Sequence, residues 1–252
     1  MNVIRSEWTK LRSVRSTWIA VLSTISSAVA LSVLGSSDLS DVSPTNLPAD
    51  WDPTAASLDG FLFAQLVIGM LGALSITPEF HNGMIGTSLA TVPARSRLLA
   101  AKAIVVTAIA LVTSLVTTLL TFTGGQIMVS RAGLPAAGIG DPGVAGALIG
   151  ATLYLTFIAL IGAGIGTVTR STASSLAVLV GALLLVPALG PSLPGFVGEW
   201  FARYWPITAG QAAYKVVPMS DMVTPVLGIV ILALAAAATT VAGHAAFRVR
   251  DV

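Results

Sequence analysis

The stretch Thr77–Lys102, TPEFHNGMIGTSLATVPARSRLLAAK, separates two strongly apolar runs and decides how the rest of the chain is arranged. It is the only long polar interruption that joins a helix-breaking start, an acidic residue, glycines and a basic exit. Pro78 has no N–H to donate and its ring clashes with the turn before it, so the preceding apolar segment is expected to stop there. Glu79, His81 and Asn82 then need water or a partner protein. Arg95, Arg97 and Lys102 stand at the foot of the next apolar run, with Lys102 near enough to its end to snorkel to the membrane interface.

Composition explains why apolar runs flank this stretch. Of 252 residues, 55% are hydrophobic and only 10% charged, with a mean hydropathy of +0.89. Soluble domains carry roughly a quarter charged residues, so this chain lacks the polar groups to cover itself in water. The fold class is all-α integral membrane. With about 17 to 25 residues per crossing, there is length for roughly five to seven spans and no separate soluble catalytic domain. The absence of cysteine excludes disulfides, thiol catalysis and cysteine metal sites. The basic pI follows membrane topology and does not point to nucleic acid.

Working outward, residues 58–76 read as a span before the organising loop (77–97), and 98–122 as a span after it. Towards the N-terminus, residues 1–17 form a basic amphipathic helix. Ile4, Trp8, Leu11, Val14 and Trp18 fall on one side, with Arg5, Lys10 and Arg12 on the flanks and far side. Such a helix lies along the interface with its aromatics in the headgroup zone. Glu7 falls on the apolar side and fits only if it pairs with a nearby base or the helix is shorter. Residues 18–34 are the weakest hydrophobic run; Ala28-Val29-Ala30 resembles a signal cleavage site, but the long patterned segment ahead favours a retained span. A polar loop with Asp38, Asp41, Asp50 and Asp52 follows. Towards the C-terminus come a Gly/Pro-rich connection, spans at 144–168 and 174–189 joined by a short turn at Arg170, an outer region at 190–224, and a last span at 225–246. Pro187 is expected to kink the fifth span.

Six spans put alternate loops on opposite sides. One side holds Arg5, Lys10, Arg12, Arg15, Arg95, Arg97, Lys102, Arg170, Arg248 and Arg250 against Glu7, Glu79 and Asp251. The other holds Arg131, Arg203 and Lys215 against Asp38, Asp41, Asp50, Asp52, Asp59, Asp141, Glu199 and Asp221. Lysine and arginine near span ends mark the cytoplasmic side, so both termini are expected in the cytoplasm.

Few residues carry chemistry. No ionisable group falls near the centre of a predicted span, which weakens a proton-coupled carrier. No lysine follows a glycine, so there is no phosphate-cradling P-loop. Phe122-Thr123-Gly124-Gly125-Gln126 reads as a glycine pair ending a helix. His81 and His244 are too far apart to suggest a metal, and no catalytic or metal site is expected. Gly146 and Gly150, then Gly162 and Gly166, are spaced to let helix backbones approach closely, within the chain or between subunits. Trp18, Trp51, Trp200, Tyr204 and Trp205 suit boundary anchors; Trp200, Tyr204 and Trp205 also suit a lid over an outward-opening cleft.

The run Ile76-Thr77-Pro78-Glu79-Phe80, with Gly83-Met84-Ile85, Thr87-Ser88-Leu89-Ala90, Pro93, Arg95 and Ala101-Lys102, resembles permease subunits of type-2 ATP-binding cassette (ABC) exporters, especially those of high-GC Gram-positive bacteria. The segment Arg5–Trp18 resembles the family's start, and Pro206–Ala212 its last outer loop. His81-Asn82 and Gly86 depart from the basic or more polar residues common there. The resemblance implies a chain that is not itself an ATPase. It implies two copies of a separate ATP-binding subunit that supplies ATP and Mg, a second permease copy or homologue, and a lipid bilayer around the spans. The N-terminal segment with Trp8, Leu11, Arg12 and Trp18 is implied to be an elbow helix. The loop with Glu79, Phe80, His81, Gly83, Arg95 and Arg97 is implied to hold the ATPase-coupling helix. Residues 190–224 are implied to gate the exit. The function expected is export of an amphipathic or lipophilic molecule (drug, antibiotic, lipid or peptide). The alternatives are a non-transporting anchor or sensor for an ATPase, and a secondary carrier.

Overall fold

The computed structural model describes residues 3–37, 47–48, 50–83, 95–217, 219 and 221–249. Residues 84–94, most of the expected coupling segment, and residues 38–46, which hold Asp38 and Asp41, lie outside the described residues. Among those described there is no β-strand. Six helices are long and apolar enough to cross a membrane: Arg15–Ser36, Phe61–Phe80, Ser96–Arg131, Val144–Thr169, Thr172–Ser192 and Pro225–Phe247, called spans 1 to 6 here. The protein is multi-pass and all-helical.

Span 4 is the axis of the bundle, with 67% of its window buried inside the chain, against 22% for spans 5 and 6. Small residues explain how it can be surrounded. A Cβ on Gly162 would lie 1.9 Å from the carbonyl oxygen of Gly69 in span 2, and one on Gly72 would lie 1.9 Å from that of Ala159. Gly166 rides against Ala73, and Gly164 against Thr239 of span 6. In lipid, where no hydrophobic force pulls helices together, such close backbone contact drives association. Gly150 is equally tight, against the Ala213 carbonyl of the loop before span 6. Gly146 differs from the packing role expected of it: a side chain there would meet nothing within 4 Å.

Three expectations about helix ends are corrected. The Gly124-Gly125 pair does not end span 3, whose helix Arg95–Arg131 runs straight through it. Gly125 is needed for proximity instead, since a Cβ would sit 2.6 Å from Ser57. At 1.5 Å per residue this helix is about 55 Å long, well beyond the hydrocarbon layer. Secondly, Pro78 does not by itself stop span 2. Its first helix, Phe61–Leu74, ends one turn earlier, and Thr77–His81 starts a short new helix with Pro78 in its opening turn. There the missing N–H costs nothing, because first-turn amides have no helical partner. Thirdly, the irregularity of span 5 lies ahead of Pro187, in a π-helical turn at Gly181–Leu185.

The N-terminal helix is Val3–Ser13, shorter than the segment expected, and Trp18 belongs to span 1. Only the part of its apolar side that runs through Glu7 and Leu11 is packed. Glu7 is the buried residue, Leu11 is partly buried, and Ile4, Trp8 and Val14 are exposed.

Candidate functional site

The short helix Thr77–His81 sits at the end of the bundle shared by the N-terminal helix and the close of span 6, and it touches five other elements. Thr77 shares a hydrogen bond of 2.9 Å with Thr172 at the start of span 5. The Phe80 ring packs edge-on to Phe247 of span 6, with centroids 6.0 Å apart. The Arg170 guanidinium lies 4.9 Å above the same ring. Arg170 closes span 4 in a left-handed conformation (φ 55°) that donates its N–H to Gly166; this conformation is uncommon outside glycine and delivers the cation to the ring.

Glu79 joins the short helix to the N-terminal helix and to span 3. Lys102 Nζ donates to Glu79 Oε1 and to Glu7 Oε2, both at 2.6 Å. Lys10 Nζ lies 3.0 Å from Glu7 Oε1 and 3.5 Å from Glu79 Oε1. Two lysines and two glutamates thus form a neutral tetrad, with Glu7 and Lys102 each 2% exposed. Burial alone would raise the Glu7 carboxyl, but the Lys102 charge and hydrogen bonds from Lys102 and Lys10 outweigh it and hold Glu7 below its ordinary value of 4.5. Lys10 shows the mirror image: burial opposes its charge, and Glu7 and Glu79 more than restore it, above the ordinary 10.5.

Two expectations change here. Lys102 does not snorkel; it is buried, because two carboxylates hold it inside. Glu79 is not left for water or a partner, since Oε1 is engaged; its Oε2 is buried without a hydrogen-bond partner among the described residues. Glu7, the misfit of the amphipathic pattern, was the one sequence signal that pointed to this tetrad. Of the other loop residues, His81 ends the short helix. Gly83 takes a left-handed turn (φ 66°) just beyond it. Arg95 opens the span 3 helix, and Arg97 is exposed in its first turn. Beneath the tetrad is a cavity of about 190 Å³ lined by Ile76, Leu99, Ala103, Thr167, Thr240 and His244 among others.

The far end is held by neutral amides and one carboxylate. In span 5 the π turn sends the Val186 N–H to Gly181, and Pro187 has no N–H to offer Leu183. The carbonyls of Ala182 and Leu183 are thereby freed, and both are used. Trp205 donates its indole N–H to Ala182 at 3.0 Å, and Gln65 of span 2 donates its amide to Leu183 at 3.3 Å. Gln65 in turn accepts from the hydroxyl of buried Tyr154. Asp52 caps the helix Pro53–Ser57 and accepts from Val216 and Val217 at 2.6 and 3.0 Å, tying the connection between spans 1 and 2 to that between spans 5 and 6. Gln126 donates to Pro53 and Ser57 and accepts from Ala137.

Of the expected gate aromatics, Trp200 and Trp205 meet edge to face with Phe201 against both, while the Tyr204 ring lies 5.7 Å from the Arg203 guanidinium. Beside span 4, Gly146 and Gly150 line an apolar groove of about 450 Å³, with Val226 and Val230 of span 6 and Lys215. Gln65, Tyr154 and the π turn were not read from the sequence; the lone glutamine in an apolar run was the available signal. No cluster of metal-ligating side chains occurs among the described residues.

No curated protein matches the sequence. Residues 3–188 match the family described as ABC-2 family transporter protein, in accord with the resemblance read from the organising stretch.

Proposed function

From its membership of the ABC-2 transporter family, which makes the chain the membrane-spanning permease subunit of an ABC transporter partnered by an ABC ATP-binding subunit, we propose that it forms the export path for an amphipathic or lipophilic molecule. The working complex has two ATP-binding subunits, which carry the ATP and Mg, and a second permease. Both termini face the cytoplasm. The chain is then the conduit, and hydrolysis takes place next door.

The observation that carries this reading is the junction of Thr77–His81 with five other elements. A push delivered to the segment after Gly83 enters this short helix at one end and span 3 at Arg95 at the other. From the short helix it passes to span 3 and the N-terminal helix through the tetrad, to span 6 through Phe80–Phe247, and to spans 4 and 5 through Arg170 and Thr172. Glu79 and Phe80 act as transmitters facing into the bundle, with Gly83, Arg95 and Arg97 nearer the ATPase. Lipophilic cargo suits the largely apolar groove beside span 4, whose one charged lining residue is Lys215.

The test is co-expression with the ATP-binding partner and assay of dye accumulation in inverted vesicles. Phe80→Ala and Glu79→Gln are expected to lower transport at least tenfold while ATPase activity and co-purification persist. Unchanged transport in both variants would overturn the transmitter role. Because the native chain has no cysteine, a single Gly83→Cys label reports the side directly; reaction with an impermeant maleimide from outside the cell would reverse the topology.

A further inference from the structure

The N-terminal helix has a second, outward side. Its one acid, Glu7, is consumed in the tetrad, so the charge it shows to its surroundings is basic. Arg5, Arg12 and Arg15 are exposed and form no ion pair among the described residues. Where this helix turns into span 1 and lies along span 3, the three elements enclose a groove of about 270 Å³ lined by Trp8, Arg12, Thr17, Trp18, Val21 and Ile109. Trp18 is held in place, its indole N–H donated to the Arg12 carbonyl at 2.9 Å. That bond satisfies a carbonyl at the helix end and leaves the guanidinium free. Along span 3, Val112 and Val116 carry an exposed apolar face onward from Ile109 at three- and seven-residue spacing.

We propose that this groove binds one anionic phospholipid from the leaflet against which the N-terminal helix lies. The phosphate sits on the Arg12 guanidinium and the Thr17 hydroxyl. The glycerol region lies between the Trp8 and Trp18 rings, at the depth indoles favour. One acyl chain follows Val21 and Ile109. A bare amphipathic helix would meet lipid on a smooth side; here span 3 closes that side into a cleft with a cation at one mouth and hydrocarbon at the other. Charge complementarity selects the occupant, because a zwitterionic headgroup brings its own cation to Arg12 and an anionic one does not. The proposal needs only the membrane location and is independent of what is exported.

The test uses the purified full-length chain in nanodiscs of phosphatidylcholine. Phosphatidylglycerol or phosphatidylcholine brominated near the headgroup end of the acyl chain is titrated in, and tryptophan quenching is followed. Trp18 in the same groove and Trp51, Trp200 and Trp205 at the far end remain in the Trp8→Phe variant, and its difference from the wild type isolates the Trp8 component. The expected result is a Trp8-dependent component that saturates at low phosphatidylglycerol content, with about fivefold preference over phosphatidylcholine, the factor for one arginine near an anionic surface. Arg12→Gln abolishes the preference and Arg12→Lys keeps most of it, with helix content by circular dichroism unchanged. Coincident wild-type curves for the two lipids, or a preference that survives Arg12→Gln, would overturn the site.

Discussion

The two ends of the bundle are fastened in opposite ways. At the end carrying the N-terminal helix, five elements converge on Thr77–His81 and the fastening is ionic: Glu7, Lys10, Glu79 and Lys102, with Arg170 over Phe80. At the far end it is hydrogen bonding to backbone: Asp52 to two amides, Gln65 and Trp205 to two freed carbonyls, Gln126 to Pro53 and Ala137. Buried charge pairs are costly to leave half-made, and each hydrogen bond to backbone contributes only about 1 kcal/mol net. The ionic end therefore behaves as one stiff unit, suited to passing on a displacement. The far end can give way bond by bond.

Loss of Lys102 should expose that difference most strongly. Lys102→Met leaves Glu7 and Glu79 sharing only the partly exposed Lys10, and should cost about 3–5 kcal/mol in unfolding of the chain in detergent. Adding Glu7→Gln should recover part of it; equal loss in the single and double variants would mean the tetrad is not coupled. At the far end Asp52→Ala removes two amide bonds and a cap, for an expected loss of about 1.5–3 kcal/mol, read by the same melt. A loss as large as that of Lys102→Met would erase the contrast between the ends.

Gly150→Ala drives a methyl group into the Ala213 carbonyl and should cost about 1–3 kcal/mol in the same unfolding measurement. Acid distinguishes the ends without mutation. A carboxyl held below its ordinary value stabilises the fold above that value and stops doing so as pH falls through the lowered one. Lowering pH below 4.5 should thus loosen the N-terminal helix before the outer loops, as seen by hydrogen exchange. Lys10, raised above 10.5, keeps its contribution up to that pH and loses it above. Simultaneous loosening of both ends in acid would argue against the ionic fastening. The smallest effect belongs to Gly146→Ala, expected within about 0.5 kcal/mol, since nothing stands where its methyl group would go.

Span 4 shows how much of the architecture was legible. Its glycine spacing announced close packing, and Gly150, Gly162 and Gly166 deliver it; which helix each one meets, and that Gly146 meets none, depended on rotations no periodicity reports. Lys102 teaches the same lesson for charge. At the foot of a span it reads as a snorkelling base, and only the arrival of Glu7 from 95 residues away, with Glu79, turns it inward. Pro187 was visible as a disturbance, yet the carbonyls it frees acquire meaning only because Gln65 and Trp205 stand opposite them.

Hydropathy and charge, summed along the chain, were enough to establish a six-span membrane protein. Backbone polarity in lipid permits so few alternatives that length and composition suffice. The junction at Thr77–His81, the tetrad and the groove beside Arg12 were decided in three dimensions. They depend on which faces of separate helices come together, and that is set by packing between residues far apart in the chain.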